Sequence, residues 1–179
     1  MNTEPTKTFI NEYGYRTEEW RNNDGQLHRE DGPADIEYNP DGTTWSEIYY
    51  QHGQRHRENG PAKIYYDENG NIEHEEYYQH GQLHREDGPA RIFYNQDGTT
   101  WREAYYRDGL RHREGGPAHI VYNDDGTIKR QEYWQDGKQY TPTKQDVKNT
   151  LNTKLNEIKQ RNQAKTQHVK HDRKPGRTR

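Results

Sequence analysis

Four stretches of the chain alternate in the same way: "ADIEY" at 34–38, "AKIYY" at 62–66, "ARIFY" at 90–94 and "AHIVY" at 118–122. Ala, Ile and a final Tyr hold every second position. A period of two puts alternate side chains on opposite faces of a β-strand. Ala34, Ile36 and Tyr38 therefore share one face. Asp35 and Glu37 take the other face in the first stretch, and Tyr65, Phe93 and Val121 make that face more apolar in the later ones. Each stretch runs into "NPDG", "DENG", "NQDG" or "NDDG". Such an Asx-rich turn closes on glycine, which supplies the positive φ of a tight hairpin. A second strand follows, "TTWSEIYY" from Thr43 to Tyr50 and its echoes, ending in Tyr-Tyr or Tyr-Trp. Then "QHG", "RDG" or "QDG" turns the chain again.

Between the hairpins stands "GQLHREDGPA" at 25–34. It returns letter for letter at 81–90, with variants "GQRHRENGPA" at 53–62 and "GLRHREGGPA" at 109–118. Gly25, Gly53, Gly81, Gly109 and Gly137 stand 28 residues apart, as do His28, His56, His84 and His112. Uninterrupted spacing predicts stacked units, each offering the next the same face. Proline donates no ladder bond, so "HREDGPA" reads as a connector rather than a central strand. Gly gives it backbone freedom, Pro fixes φ, and Ala permits close packing. A 56-residue period overlies the first: units one and three share "DGTTW", whereas units two and four lack that Trp and place Arg55 and Arg111 before the His. Alternate units should therefore differ in exposure or partner contact.

Residues 1–24 read as a degraded capping repeat, because "RTEEWRNNDG" echoes "WSEIYYQHG" with imperfect spacing. Residues 25–140 hold the four repeats and a closing strand. In 141–163 the apolar residues Val147, Leu151, Leu155 and Ile158 form a narrow helical stripe, and Thr143 with Asp146 resembles a capping box. A helix near Thr143–Gln160 is predicted. Residues 164–179 have no periodicity and are expected to be a disordered basic tail. The fold class expected is all-β: an elongated antiparallel β-hairpin repeat array with a C-terminal amphipathic helix.

Composition thins the picture. Hydrophobic residues make up 25% of the chain and charged residues 32%, against a usual apolar share of roughly 45–50%. Only a slender core is possible, and the 15 tyrosines must supply much of it. With no cysteine, disulfides and thiolate metal sites are excluded, and a cytoplasmic setting fits. No apolar run approaches a membrane span. The net charge of −3 is uneven, because residues 161–179 carry seven Lys and Arg against one acid. An acidic body thus carries a basic end.

Hairpin units with Tyr-Tyr-x-x-Gly spacing resemble MORN-type repeats, in the variant class found in antitoxin-like proteins. The phrase "LHREDGPA" resembles repeat proteins of phages and large DNA viruses. The resemblance covers about Gly25 to Tyr140. It implies a twisted antiparallel sheet used for binding or assembly.

The recurring His-Arg-Glu invites a catalytic or metal reading, and geometry weakens it. If each unit adds two strands, equivalent histidines sit about 10 Å apart, whereas one metal needs its nitrogens about 2 Å from itself. Four near-identical copies also supply no single differentiated acid–base site. A structural polar ladder is the reading adopted, with no enzyme activity, metal or cofactor expected. Arg29 and its equivalents are expected to pair with acids of neighbouring units. The candidate binding surface is the aromatic face: Trp45, Tyr49, Tyr50, Tyr77, Tyr78, Trp101, Tyr105, Tyr106, Tyr133 and Trp134, with one residue of each aromatic pair facing out. The basic tail, with Arg161, Lys165, Lys170, Arg173, Lys174, Arg177 and Arg179, is the candidate for polyanions. The expected function is that of a non-enzymatic protein-binding scaffold, such as a phage or viral accessory protein that inhibits a host factor in the host cytoplasm. The alternatives are an antitoxin-like immunity protein and a nucleic-acid binder acting through the tail. No membrane partner is expected.

Overall fold

The computed structural model describes residues 4–148 and 151–152. The chain divides into two compact units. The first holds Met1–Arg113 and Pro117–Tyr140, the second Glu114–Gly116 and the chain from Thr141 on.

The first unit is built from hairpins. β1 (Lys7–Ile10) and β2 (Arg16–Glu19) form the opening one. Then the same group of four strands comes three times. It is β3 (Asp35–Tyr38), β4 (Thr44–Ile48), β5 (Tyr50–Gln51) and β6 (Gln54–Arg55). It returns as β7 (Lys63–Tyr66), β8 (Ile72–Glu76), β9 (Tyr78–Gln79) and β10 (Gln82–Leu83). It returns again as β11 (Arg91–Tyr94), β12 (Thr100–Ala104), β13 (Tyr106–Arg107) and β14 (Leu110–Arg111). β15 (His119–Tyr122), β16 (Ile128–Gln135) and β17 (Lys138–Tyr140) close the unit. The long strands join in one antiparallel sheet of 11 strands, in the order β1-β2-β3-β4-β7-β8-β11-β12-β15-β16-β17. The short ones make three separate two-stranded hairpins.

In the first three units the second strand is thus not continuous to the Tyr pair, whereas β16 runs unbroken through Tyr133 and Trp134. In the first unit the break falls at Tyr49, whose N–H donates to Ala62 C=O (2.7 Å) and whose C=O accepts from His56 N–H (3.1 Å). Tyr50 then starts the outer hairpin. The break comes from the connector, which takes the bonds a neighbouring strand would have made.

The register separates two faces. Ile36, Glu47, Ile64, Glu75, Ile92, Glu103 and Ile120 lie in one row across the sheet. The core sits here: Ile64, Ile92 and Ile120 are buried, and Ala34, Ala62, Ala90 and Ala118 are 0% exposed. Burying one Ile stabilises by about 1.5–3 kcal/mol. Tyr66, Tyr94 and Tyr122 lie over this row, and each hydroxyl donates to the glutamate of the preceding unit: Glu47, Glu75 and Glu103 at 3.2, 2.9 and 3.1 Å. Burial first, and then those carboxylates, push the Tyr66 and Tyr122 hydroxyls up to about 12. A phenol held neutral can keep donating, so these bonds tie unit to unit at any ordinary pH.

The connector is also a built object. Arg29, Arg57, Arg85 and Arg113 donate to the carbonyls of Pro33, Pro61, Pro89 and Pro117, four residues on, at 3.1–3.3 Å. Each guanidinium lies 3.7–4.1 Å over an aromatic ring: Trp20, Tyr49, Tyr77 and Tyr105 in turn. A Cβ on Gly32 or Gly88 would stand 3.0 or 2.9 Å from that guanidinium carbon, so a larger residue there would have to push the arginine aside. Arg29 therefore stays within its own loop, with Asp31 at 3.7 Å as its acid, rather than pairing with a neighbouring unit.

The histidines link one connector to the next outer turn. The N–H groups of His52, His80, Asp108 and Asp136 donate to Nδ1 of His28, His56, His84 and His112 at 3.2 Å. These donors sit in the left-handed region, His52 at φ 48° followed by Gly53 at 76°. Two consecutive positive φ values make a type I′ turn, whose first position favours Asn. His52→Asn is expected to stabilise by about 0.5 kcal/mol, read as a rise in urea midpoint. A fall would mean that the His28–His52 ring contact, 4.6 Å between centroids, outweighs the backbone strain.

The opening hairpin explains its imperfect spacing. Tyr38 reaches Glu18 as Tyr66 reaches Glu47, so Glu18 and Glu47 are equivalent. β1 and β2 pair without the register shift found in the later hairpins, and the outer turn from Arg21 to Leu27 is one residue longer.

In the second unit, residues 144–148 and 151–152 are helical. The capping box forms: Asp146 N–H donates to Thr143 Oγ1 (3.2 Å), and Thr143 N–H to the Asp146 carboxylate (2.7 Å). Val147 and Leu151 are exposed. The rest of the expected helix, the expected disordered tail, and Arg161, Lys165, Lys170, Arg173, Lys174, Arg177 and Arg179 lie outside the described residues.

Candidate binding face

The opposite face of the sheet buries side chains too, Ser46, Ile48, Glu76, Ala104 and His119 among them, and carries a row of rings beside them. Its central row runs Glu37, Ser46, Tyr65, His74, Phe93, Arg102, Val121, Arg130 across β3 to β16. Each first strand meets its partner with a register shift, between Glu37 and Tyr38, Tyr65 and Tyr66, Phe93 and Tyr94, and Val121 and Tyr122. The residue left unpaired opposite each shift is Trp45, Glu73, Trp101 or Lys129 in turn. A bulge of this kind re-aims a side chain. Here it re-aims the two tryptophans that mark alternate units.

The result is a continuous run of rings across five strands. Trp45 meets Tyr65 edge-on at 5.3 Å between centroids; Tyr65 meets His74 at 4.3 Å, His74 meets Phe93 at 5.0 Å, and Phe93 meets Trp101 at 5.4 Å. Such spacings are those of favourable aromatic pairs. Trp45 is 39% exposed, and the other four are half-buried. Lys63 sits 4.4 Å over Tyr65 and Arg102 5.2 Å over Phe93. Burial holds His74 below the usual imidazole range, with Glu76 and Glu73 acting against it, so the ring is neutral where the row is most crowded.

Charge is divided along this face. Glu19, Asp35 and Glu37 gather on β2 and β3, with Arg21 paired to Glu19 at 2.8 Å. Burial first, then Glu37 and Glu19, raise the Asp35 carboxyl to about 6, and its Oδ1 is buried with no hydrogen-bond partner. The positions equivalent to Asp35 are Lys63, Arg91 and His119. Those face glutamates: Arg91 Nε lies 2.6 Å from Glu76, and His119 Nδ1 lies 3.1 Å from Glu132. Farther along, Arg102 Nε donates to His119 Nε2 at 3.0 Å, and Arg130 pairs with Glu132. The face is acidic at β2–β3 and cationic from β11 to β16.

The sequence-derived aromatic surface divides on this frame. Trp45 and Trp101 lie at the two ends of the ring row. Tyr49, Tyr77 and Tyr105 lie on the other face under the connector arginines. Tyr78 is buried, its hydroxyl on Glu76 at 2.9 Å, while Tyr50 and Tyr106 are half-buried. Neither member of the first three Tyr pairs is exposed, because the strand break at the first Tyr lets the second turn back toward the sheet. Tyr133 lies against Tyr140 (5.9 Å), and Trp134 lies under Arg111 (4.8 Å). Sequence reasoning did not name His74 or the Tyr65–Phe93 pairing as part of the surface. Softening of the second face at Tyr65 and Phe93 was the signal for it.

Between successive connectors lie open grooves, the larger about 610 Å³, bordered by Arg57, Glu58, Tyr77, Arg85 and Glu86. Among the described residues no group of His, Asp and Glu is placed to hold a metal ion. Among them, too, no helix is long and apolar enough to cross a membrane. No family model, curated protein or solved structure matches the chain.

Proposed function

We propose that this chain is a non-enzymatic protein-binding scaffold whose binding surface is the sheet face carrying Trp45, Tyr65, His74, Phe93 and Trp101. One observation carries the reading. In a chain this poor in apolar residues, five rings stand in contact in one row, Trp45 among them 39% exposed, and the two tryptophans stand at bulges. Aromatic anchors of this kind dominate protein interfaces. A role as a phage or viral accessory protein acting in the host cytoplasm, or as an antitoxin-like immunity protein, rests on the resemblance of the repeated phrase alone.

The test compares two full-length variants against a captured partner at two salt concentrations. One carries Trp45→Ala and Trp101→Ala; the other has the seven tail cations replaced by Gln. Each tryptophan is expected to contribute about 2 kcal/mol, roughly 30-fold in affinity, with little salt dependence. If the tail variant loses binding instead and the tryptophan variant keeps it, the face reading fails and polyanion binding through the tail replaces it.

A further inference from the structure

Resting on the binding-face reading, we infer that the occupant of this face is a second copy of the chain, packed sheet on sheet with its strand order reversed. The ring row is nearly palindromic about β8: Trp45, Tyr65, His74, Phe93, Trp101. A two-fold axis running along β8 between two copies sets Trp45 over the partner's Trp101 and Tyr65 over the partner's Phe93. An isologous contact needs this self-complementarity, because every patch must meet its own mate.

Charge selects this axis over the other in-plane one. An axis across the strands would lay β3 on β3 and set Asp35 and Glu37 against themselves. Like charges facing across an interface cost several kcal/mol. Reversal lays β3 over β15, between the strands that carry Arg102 and Arg130. The Arg130 side chain is 68% exposed, and Glu37 at the other end is half-buried rather than buried. Each end of the face thus supplies what the other end lacks.

The area suffices. From β2 to β16 the sheet spans nine strands, about 38 Å at roughly 4.8 Å per strand, and five residues along each strand add about 17 Å. Two such faces span on the order of 1,300 Å², and with the Asp35 row already covered by the outer hairpins the contact falls at the low end of specific interfaces. Two twisted sheets stack face to face about 10 Å apart as they do in a sandwich.

Sedimentation velocity on the full chain tests the arrangement. The wild type is expected to be a dimer at tens of micromolar. Asp35→Lys with Glu37→Lys makes both ends cationic, and Arg102→Glu with Arg130→Glu makes both ends acidic; each is expected to be a folded monomer by circular dichroism. Mixed in equal amounts, they should form a heterodimer, because both end contacts become complementary again. The chain has no cysteine, so a second measurement guards against misfolding. His74→Cys places one thiol on the axis and should couple to its copy through a short bismaleimide. Glu37→Cys, about 29 Å from its mate in the reversed packing, should not. A monomeric wild type, or efficient coupling at Glu37 with none at His74, would overturn the proposal. If the wild type is monomeric while Trp45→Ala with Trp101→Ala still abolishes capture of a foreign protein, self-association fails and the binding-face reading stands. If the tryptophan variant leaves the dimer intact, the aromatic row is not the contact and both fail.

Discussion

Asp35→Asn is expected to stabilise the monomeric chain at pH 7 by about 1–3 kcal/mol and to flatten its stability between pH 4 and 6. The carboxyl titrates near 6 in the folded chain against an ordinary value of 3.8, chiefly through burial and then through Glu37 and Glu19. A raised carboxyl means that the folded state holds its proton more tightly than the unfolded one. Stability is therefore highest below the ordinary value. It falls as pH climbs toward 6, and the loss stays constant above that. Two pH units correspond to at most about 3 kcal/mol, and residual solvent contact lowers this. Asparagine removes the charge and keeps the shape. The measurement is urea unfolding at pH 4, 6 and 7, below the concentration at which the chain associates. An Asn variant less stable than wild type at pH 7 would mean that the ionised carboxylate is satisfied in the folded chain.

That prediction bears on function. The positions equivalent to Asp35 hold Lys63, Arg91 and His119, each opposite a glutamate, so the first unit departs from a rule its neighbours obey. A local conflict of this kind is expected where another demand overrides stability. The self-association inferred above supplies one. The same Asp35→Asn change that steadies the monomer should weaken the dimer.

Much of this fold could be read from the alternation alone. Ala, Ile and Tyr at every second position placed the core face, and the Asx-Gly turns and the capping box lie where their chemistry required. What escaped had a common cause. Period-two reasoning assumes an unbroken ladder, and each of the four repeat hairpins holds one extra residue opposite its first strand. That residue is Trp45, Glu73, Trp101 or Lys129, so the alternation of Trp with a charged residue was visible in the sequence while the bulge that holds each of them was not. The break at Tyr49 escaped for the same reason. It depends on backbone bonds to Ala62 and His56, residues that local pattern does not connect. Arg29 was assigned a distant acid because strand geometry was extended into a loop where a carbonyl four residues away and a ring beneath are nearer partners.

Ala62→Leu is expected to cost about 2–3 kcal/mol and to divide unfolding into two steps. Ala62 is 0% exposed. Its N–H donates to Glu76 C=O at 2.9 Å, and its C=O accepts from Tyr49 N–H at 2.7 Å. The peptide is pinned by strands on both sides, so it cannot retreat from a larger side chain. Overpacking where the backbone cannot shift reaches the upper part of the usual 1–3 kcal/mol range. In a row of units that touch only their neighbours, cooperativity passes through each junction in turn. A defect at the junction between β4 and β7 should let β1–β4 open before β11–β16. Amide exchange resolved by segment is the measurement, because it separates local from global opening. Ala62→Gly, which adds no volume, is the control and should cost about 1 kcal/mol or less with a single transition. If the Leu variant loses protection equally at Ile36 and Ile120, the junction is not a weak link and the sheet unfolds as one body.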